Sequence, residues 1–169
     1  EALAGHIRAL MRSVGHKRKS VLVVGLGNRE VTPDALGPEV VGNLRITRHM
    51  IRVYGRVSAE LQQAAEVSAL VPGVMAQTGM ETLEIIKGVV DETHPQLVIV
   101  IDALAARSTK RLNRTIQITD TGSNPGSGVG NHRDAINEET LGVPVIAIGV
   151  PTVVDAVTIV NDTMEALVE

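Results

Sequence analysis

The chain has 169 residues, a formal charge of −3 and no cysteine. That length suits a single domain with a substantial core, and the lack of cysteine excludes a thiol nucleophile, a zinc–thiolate site and a disulfide framework. Aromatic side chains are reduced to Tyr54, with no Phe and no Trp, so no platform exists for stacking on single strands, and the charge offers no basic field to a duplex. Direct nucleic-acid binding is not expected.

No apolar run is long enough to span a bilayer, and no signal-peptide pattern opens the sequence, so neither a membrane nor an export route is expected. An ordinary reducing cytoplasm fits this composition. The first residue is Glu1 rather than methionine, which suggests a processed or trimmed product.

Residues 1–15 place Leu3, Ile7, Leu10, Met11 and Val14 at helical spacing, and Gly15 can end that helix. A basic connector, 16–20, leads into VLVV at 21–24. This run is too short for a helix and rich in β-branched residues, so it reads as a buried parallel strand. Gly25 and Gly27 then allow a sharp turn. The turn is not a dinucleotide fingerprint, because Glu30 stands where the third glycine belongs and no acidic residue closes a second strand about twenty residues on. The polar loop that follows delivers Asp34 to the mouth of a helix predicted over 39–50, with Pro38 at its first position. A carboxylate there can serve the helix dipole or chemistry, and position alone does not choose.

Residues 51–66 carry no clear period. A short strand follows at 68–71, and Thr78-Gly79-Met80-Glu81 has the form of a capping box that launches a helix ending near His94-Pro95. Glu81 is thereby explained without catalysis. LVIVI at 97–101 is the clearest buried strand and runs straight into Asp102, which lies where α/β folds collect ligands or where it caps a short helix over 103–107. Arg107 would then stand one helical turn on, able to meet a carboxylate or a substrate backbone.

The alternation at 115–119 predicts an edge strand with one wet face. The loop from Asp120 to Arg133 holds Gly122, Gly126, Gly128 and Gly130, a density that suits close approach to a ligand or movement. Its Ser127 is no nucleophile elbow, since Pro125 replaces the required glycine, and His132 is a candidate base or metal ligand. A last buried strand at 144–150 and a closing helix over 152–168 complete the chain. The fold class expected is α/β: a three-layer α/β/α sandwich around a mostly parallel sheet, of the phosphorylase/hydrolase-like kind.

If the strands before Asp34 and Asp102 are neighbours, their carboxylates share one crevice and can divide acid and base roles, one activating water and the other protonating the leaving group. Hydrolysis of an acyl or peptide bond is the natural outcome. Sequence spacing leaves that adjacency open, and it also leaves room for a non-catalytic module that grips extended peptide.

The segments VVGLGNxxVTPDALGP (23–38), NLRITRHM (43–50), ALVPGVMAQTGMET (69–82), IDALAAR (101–107), TIQITDTGSNPGSGVGN (115–131) and VPVIAIGVPTVVDAVTI (143–159) strongly resemble the germination proteases of spore-forming bacteria. The resemblance implies an atypical aspartic-type endopeptidase that degrades small acid-soluble spore proteins during germination, with no cofactor and a homotetrameric assembly in the spore core. Its two catalytic aspartates map onto Asp34 and Asp102. Arg107, Gly126, Ser127, Gly128 and Asn131 are candidates for substrate positioning. The family's fold is similar to that of hydrogenase-maturation peptidases, in which acidic residues and a histidine hold a metal, so Asp34, Asp102 and His132 form an alternative metal set. Residues 1–169 are expected to be a single peptidase core domain that lacks the family's N-terminal propiece region and C-terminal extension.

Overall fold

The computed structural model describes residues 2–13, 20–125 and 134–168. Helix α1 (Ala2–Ser13) leads to strand β1 (Ser20–Gly25), a 3-10 turn at Thr32–Asp34 and helix α2 (Leu36–Gly42). Short helices α3 (Arg48–Tyr54) and α4 (Ala59–Gln63) precede strand β2 (Glu66–Leu70). Then come α5 (Met75–Thr78), α6 (Thr82–Thr93), β3 (Leu97–Ala106), a 3-10 turn at Thr109–Arg111, β4 (Gln117–Thr119), α7 (Glu138–Leu141), β5 (Val145–Val154) and α8 (Ala156–Val168).

Among the described residues the strands form one sheet in the order β2-β1-β3-β5-β4. All pairs are parallel except β4 against β5. The runs at 21–24 and 97–101 carry apolar side chains at every position because both faces of these inner strands are covered. On one face Leu22, Val24, Val98, Val100 and Val145 pack with Ile86 and Val90 of α6 and Leu141 of α7. On the other, Val21, Val23, Leu97, Ile101 and Ile146 meet Leu10 and Met11 of α1 and Leu36, Val40 and Val41 of α2. This is the expected three-layer α/β/α arrangement, with a core built without a single aromatic ring. Tyr54, at the end of α3, is exposed.

Several local expectations change. The helix predicted over 39–50 is two helices, and Pro38 is the third residue of α2 rather than the first. The break lets Thr47 reach the outer side of β2: its backbone N–H donates to the Val67 carbonyl (3.1 Å), and the Val67 N–H donates to Thr47 Oγ1 (2.9 Å). These bonds occupy main-chain groups that an edge strand would otherwise leave open. The capping box of α6 begins at Glu81, not Thr78; the Glu81 N–H donates to Glu84 Oε2 (2.9 Å), while Thr78 belongs to α5. The closing helix starts at Ala156, after Asp155, whose Oδ1 accepts from the Thr158 N–H (2.7 Å) as an N-cap does.

Strand β1 and helix α2 meet backbone to backbone. A Cβ added at Gly25 would strike the carbonyl of Gly37, and one at Gly37 would strike the main chain of Leu26. Two glycines are therefore what lets α2 sit directly over the end of β1. We expect Gly25→Val to destabilise the fold by about 3 kcal/mol, as overpacking against main chain that has no rotamer to yield, and chemical denaturation would measure it.

Helix α8 buries none of its residues and is tied through Asp162 to the turn that follows β3. Asp162 Oδ2 accepts from the Thr109 N–H (2.6 Å), Thr109 Oγ1 (2.7 Å) and Ser108 Oγ (3.0 Å). The Thr109 side-chain and backbone hydrogen bonds, chiefly, hold the Asp162 carboxyl below its ordinary range. This tie is thus intact above the ordinary carboxylate range and is lost as pH falls through the lowered value. Hydrogen exchange of the Thr109 amide should accelerate in strong acid, and Asp162→Ala should produce the same acceleration at neutral pH.

Candidate active site

The strand order reverses direction about β1: the chain passes from β1 to β2 on one side and returns to β3 on the other. The crevice beyond the carboxyl ends of β1 and β3 is the topological switch point, where open α/β sheets bind ligands. β1 and β3 are parallel neighbours with Gly25 level with Ile101, and the Leu26 N–H continues the ladder to the Ile101 carbonyl (2.8 Å). The adjacency left open by spacing is present, and it sets the loop after β1 beside Asp102.

That loop is a succession of tight turns. Val31 N–H donates to the Asn28 carbonyl (3.1 Å), Asp34 N–H to Val31 (2.8 Å) and Ala35 N–H to Thr32 (3.3 Å). Gly27 supports them with φ +113, a conformation that L side chains avoid, and a Cβ there would collide with the Asp34 carbonyl. The loop thereby folds back so that the Asn28 N–H donates to Asp34 Oδ2 at 2.7 Å. This hydrogen bond holds the Asp34 carboxylate from within its own loop. The half-buried side chain is gripped by its own loop, and helix capping does not account for it: Ala35 stands at the cap of α2.

Asp102 is not a cap either. The short helix expected over 103–107 is absent, because β3 runs on to Ala106 and pairs with β5 through Val154 across a bulge between Leu104 and Ala105. Asp102 is a mid-strand residue opposite Gly149, with 9% of its surface exposed. A carboxyl so placed is costly to keep buried unless it is hydrogen-bonded or put to use.

Both aspartates line one cavity of about 680 Å³. Its walls include Gly27 after β1, Gly73 and Val74 after β2, Thr82 of α6, the extension of β3 to Arg107, and Pro151 and Thr152 of β5. Arg107 and Arg111 also line it. Since five residues of extended strand span roughly 16 Å, exposed Arg107 stands far along the cavity from Asp102 rather than one helical turn away. The cleft therefore carries two carboxyl groups and two arginines in its lining. Of the other sequence candidates, Gly126, Ser127, Gly128, Asn131 and His132 lie outside the described residues. Arg111 and Thr152 escaped the sequence reading as site residues; the only signal for Thr152 is its place directly after the apolar run that forms most of β5.

The germination protease family model, peptidase family A25, matches residues 1–169. A germination protease of Geobacillus sp. (strain WCH70) is 55% identical over 170 residues, covering 100% of this chain and 45% of the relative. One from Caldanaerobacter subterraneus subsp. tengcongensis is 62% identical over 156 residues, covering 90% of this chain and 47% of the relative. Among solved structures, a [NiFe] hydrogenase maturation protease HycI from Thermococcus kodakarensis KOD1 is similar at a TM-score of 0.47 and 18% identity, over 94% of this chain and 96% of that one. The chain spans less than half the length of these two germination proteases. With residues 1–169 matched by the family model, this chain belongs to the germination protease family.

Proposed function

We propose that this chain forms the catalytic core of an endopeptidase that degrades small acid-soluble spore proteins during germination, with Asp34 and Asp102 as its catalytic pair. The observation that carries the reading is Asp102: a carboxyl in the middle of a central strand, walling the same cavity as a second carboxyl fixed by its own loop. In this reading the two carboxyl groups divide the work, one as general base and the other as general acid. The ionised member draws a proton from water as it attacks the scissile carbonyl, and the protonated member supplies one to the departing amine. This is metal-free peptide hydrolysis of the aspartic type, with no cofactor.

Arg107, which lines the cleft, positions the substrate by its backbone or a carboxylate. Gly126, Ser127, Gly128 and Asn131 are proposed to complete that substrate contact. The setting proposed is a homotetramer in the spore core. Among the described residues no helix is long and apolar enough to cross a membrane.

Asp34→Asn and Asp102→Asn should each lower kcat by about a hundredfold or more, as expected for loss of a general acid or base, while substrate still binds. Digestion of a small acid-soluble spore protein, followed by mass spectrometry, measures this. Wild-type cleavage should be indifferent to a strong chelator; loss with chelator and recovery on adding metal would turn the reading to the set Asp34, Asp102 and His132. Arg107→Gln should raise KM about tenfold with kcat within about twofold, as expected when uniform binding is removed. Cleavage that survives both aspartate substitutions would remove the aspartate pair, whereas a wild-type protein that binds the substrate without cutting it would leave a peptide-binding module as the better description.

A further inference from the structure

Thr152 sits on β5, two strands from β1, yet its side chain reaches the loop that carries Asp34. Its Oγ1 donates to the Pro33 carbonyl at 2.6 Å, a contact between residues 119 apart in sequence. Pro33 is the middle residue of the 3-10 turn that ends in Asp34, and Thr152 itself lines the cavity. The turn's other end is held by the Asn28 N–H on Asp34 Oδ2 and by Gly27. β5 in turn is the partner of β3, with Leu104 opposite Pro151 close to Asp102. One hydroxyl therefore connects the loop bearing the first carboxylate to the strand pair bearing the second.

We propose that Thr152 is a positioning residue for the proposed reaction: its hydroxyl fixes the Pro33–Asp34 peptide and so the placement of the Asp34 carboxylate relative to Asp102. The inference rests on the aspartate-pair reading. Among the described residues it is the one hydrogen bond from β5 to this turn, and proline leaves the Pro33 carbonyl as that residue's sole main-chain hydrogen-bonding group. A hydroxyl is needed and the bulk of the side chain is not, which separates this role from packing. A small displacement of a reacting group costs rate far more than binding.

The test compares Thr152→Val, which keeps the shape without the hydroxyl, with Thr152→Ser, which keeps the hydroxyl without the methyl, in the full-length protein acting on a small acid-soluble spore protein. Thr152→Val should lower kcat about ten- to a hundredfold, the scale of a misplaced reacting group, with KM within about twofold. Thr152→Ser should retain kcat within about threefold. An independent reading comes from the Asn28 amide proton, whose chemical shift should move upfield in Thr152→Val as its bond to Asp34 loosens, and stay put in Thr152→Ser. Full activity in folded Thr152→Val, or an unmoved Asn28 resonance there, overturns the proposal. Should Thr152→Val fail to fold, Thr152→Ala takes its place under the same criteria, and equal loss of kcat in the serine and alanine variants also overturns it. Asp34→Asn assayed alongside distinguishes the two levels: cleavage surviving there removes the aspartate pair itself, whereas its loss beside a fully active Thr152→Val removes only the role of Thr152.

Discussion

The parallel ladder between β1 and β3 is the constraint on which the rest depends. Its register places Gly25 level with Ile101, so the chain leaving β1 must turn immediately beside the residue that follows, Asp102. Everything around the site serves that juxtaposition. Gly25 and Gly37 let α2 close over the strand end, Gly27 lets the loop fold back, and the Asn28 amide holds the carboxylate that the loop delivers. A slip of one residue between these strands would send Asp102 to the opposite face of the sheet, because side chains alternate along a strand.

The sheet extends farther at this end than the core requires. β3 and β5 continue paired beyond the level at which β1 stops, across the bulge at Leu104 and Ala105. That projecting ribbon forms one wall of the cleft and carries Arg107 out beyond it. The wall is small-chained, Ala103, Ala105 and Ala106 with Leu104 between, which leaves room for the side chains of a bound polypeptide.

Much of this could be read in advance where burial dictates composition. The apolar runs at 21–24 and 97–101 had to be inner strands, and the alternation at 115–119 had to be an edge. The errors share a cause. Residues 103–107, ALAAR, have strong intrinsic helix preference, but pairing with Val150, Val153 and Val154 of β5 overrides it. The continuous helix read over 39–50 fails because Thr47 is worth more as a lid on the β2 edge than as a helical residue. Thr152 was assigned to the closing helix because nothing local announces a bond to a carbonyl 119 residues away. Asp34 and Asp102 were visible as residues, while their meeting was a property of strand order alone.

The aromatic-free core has an optical consequence. With Tyr54 as this chain's sole chromophoric ring, and that ring exposed on α3, near-ultraviolet absorption and fluorescence from residues 1–169 report on a surface helix and nothing else. The interior can loosen, the sheet can part and the cleft can fill without altering that signal. Against so dark a background, a tryptophan placed in a peptide substrate would be the brightest emitter in the cleft, and its polarisation would follow capture and release directly.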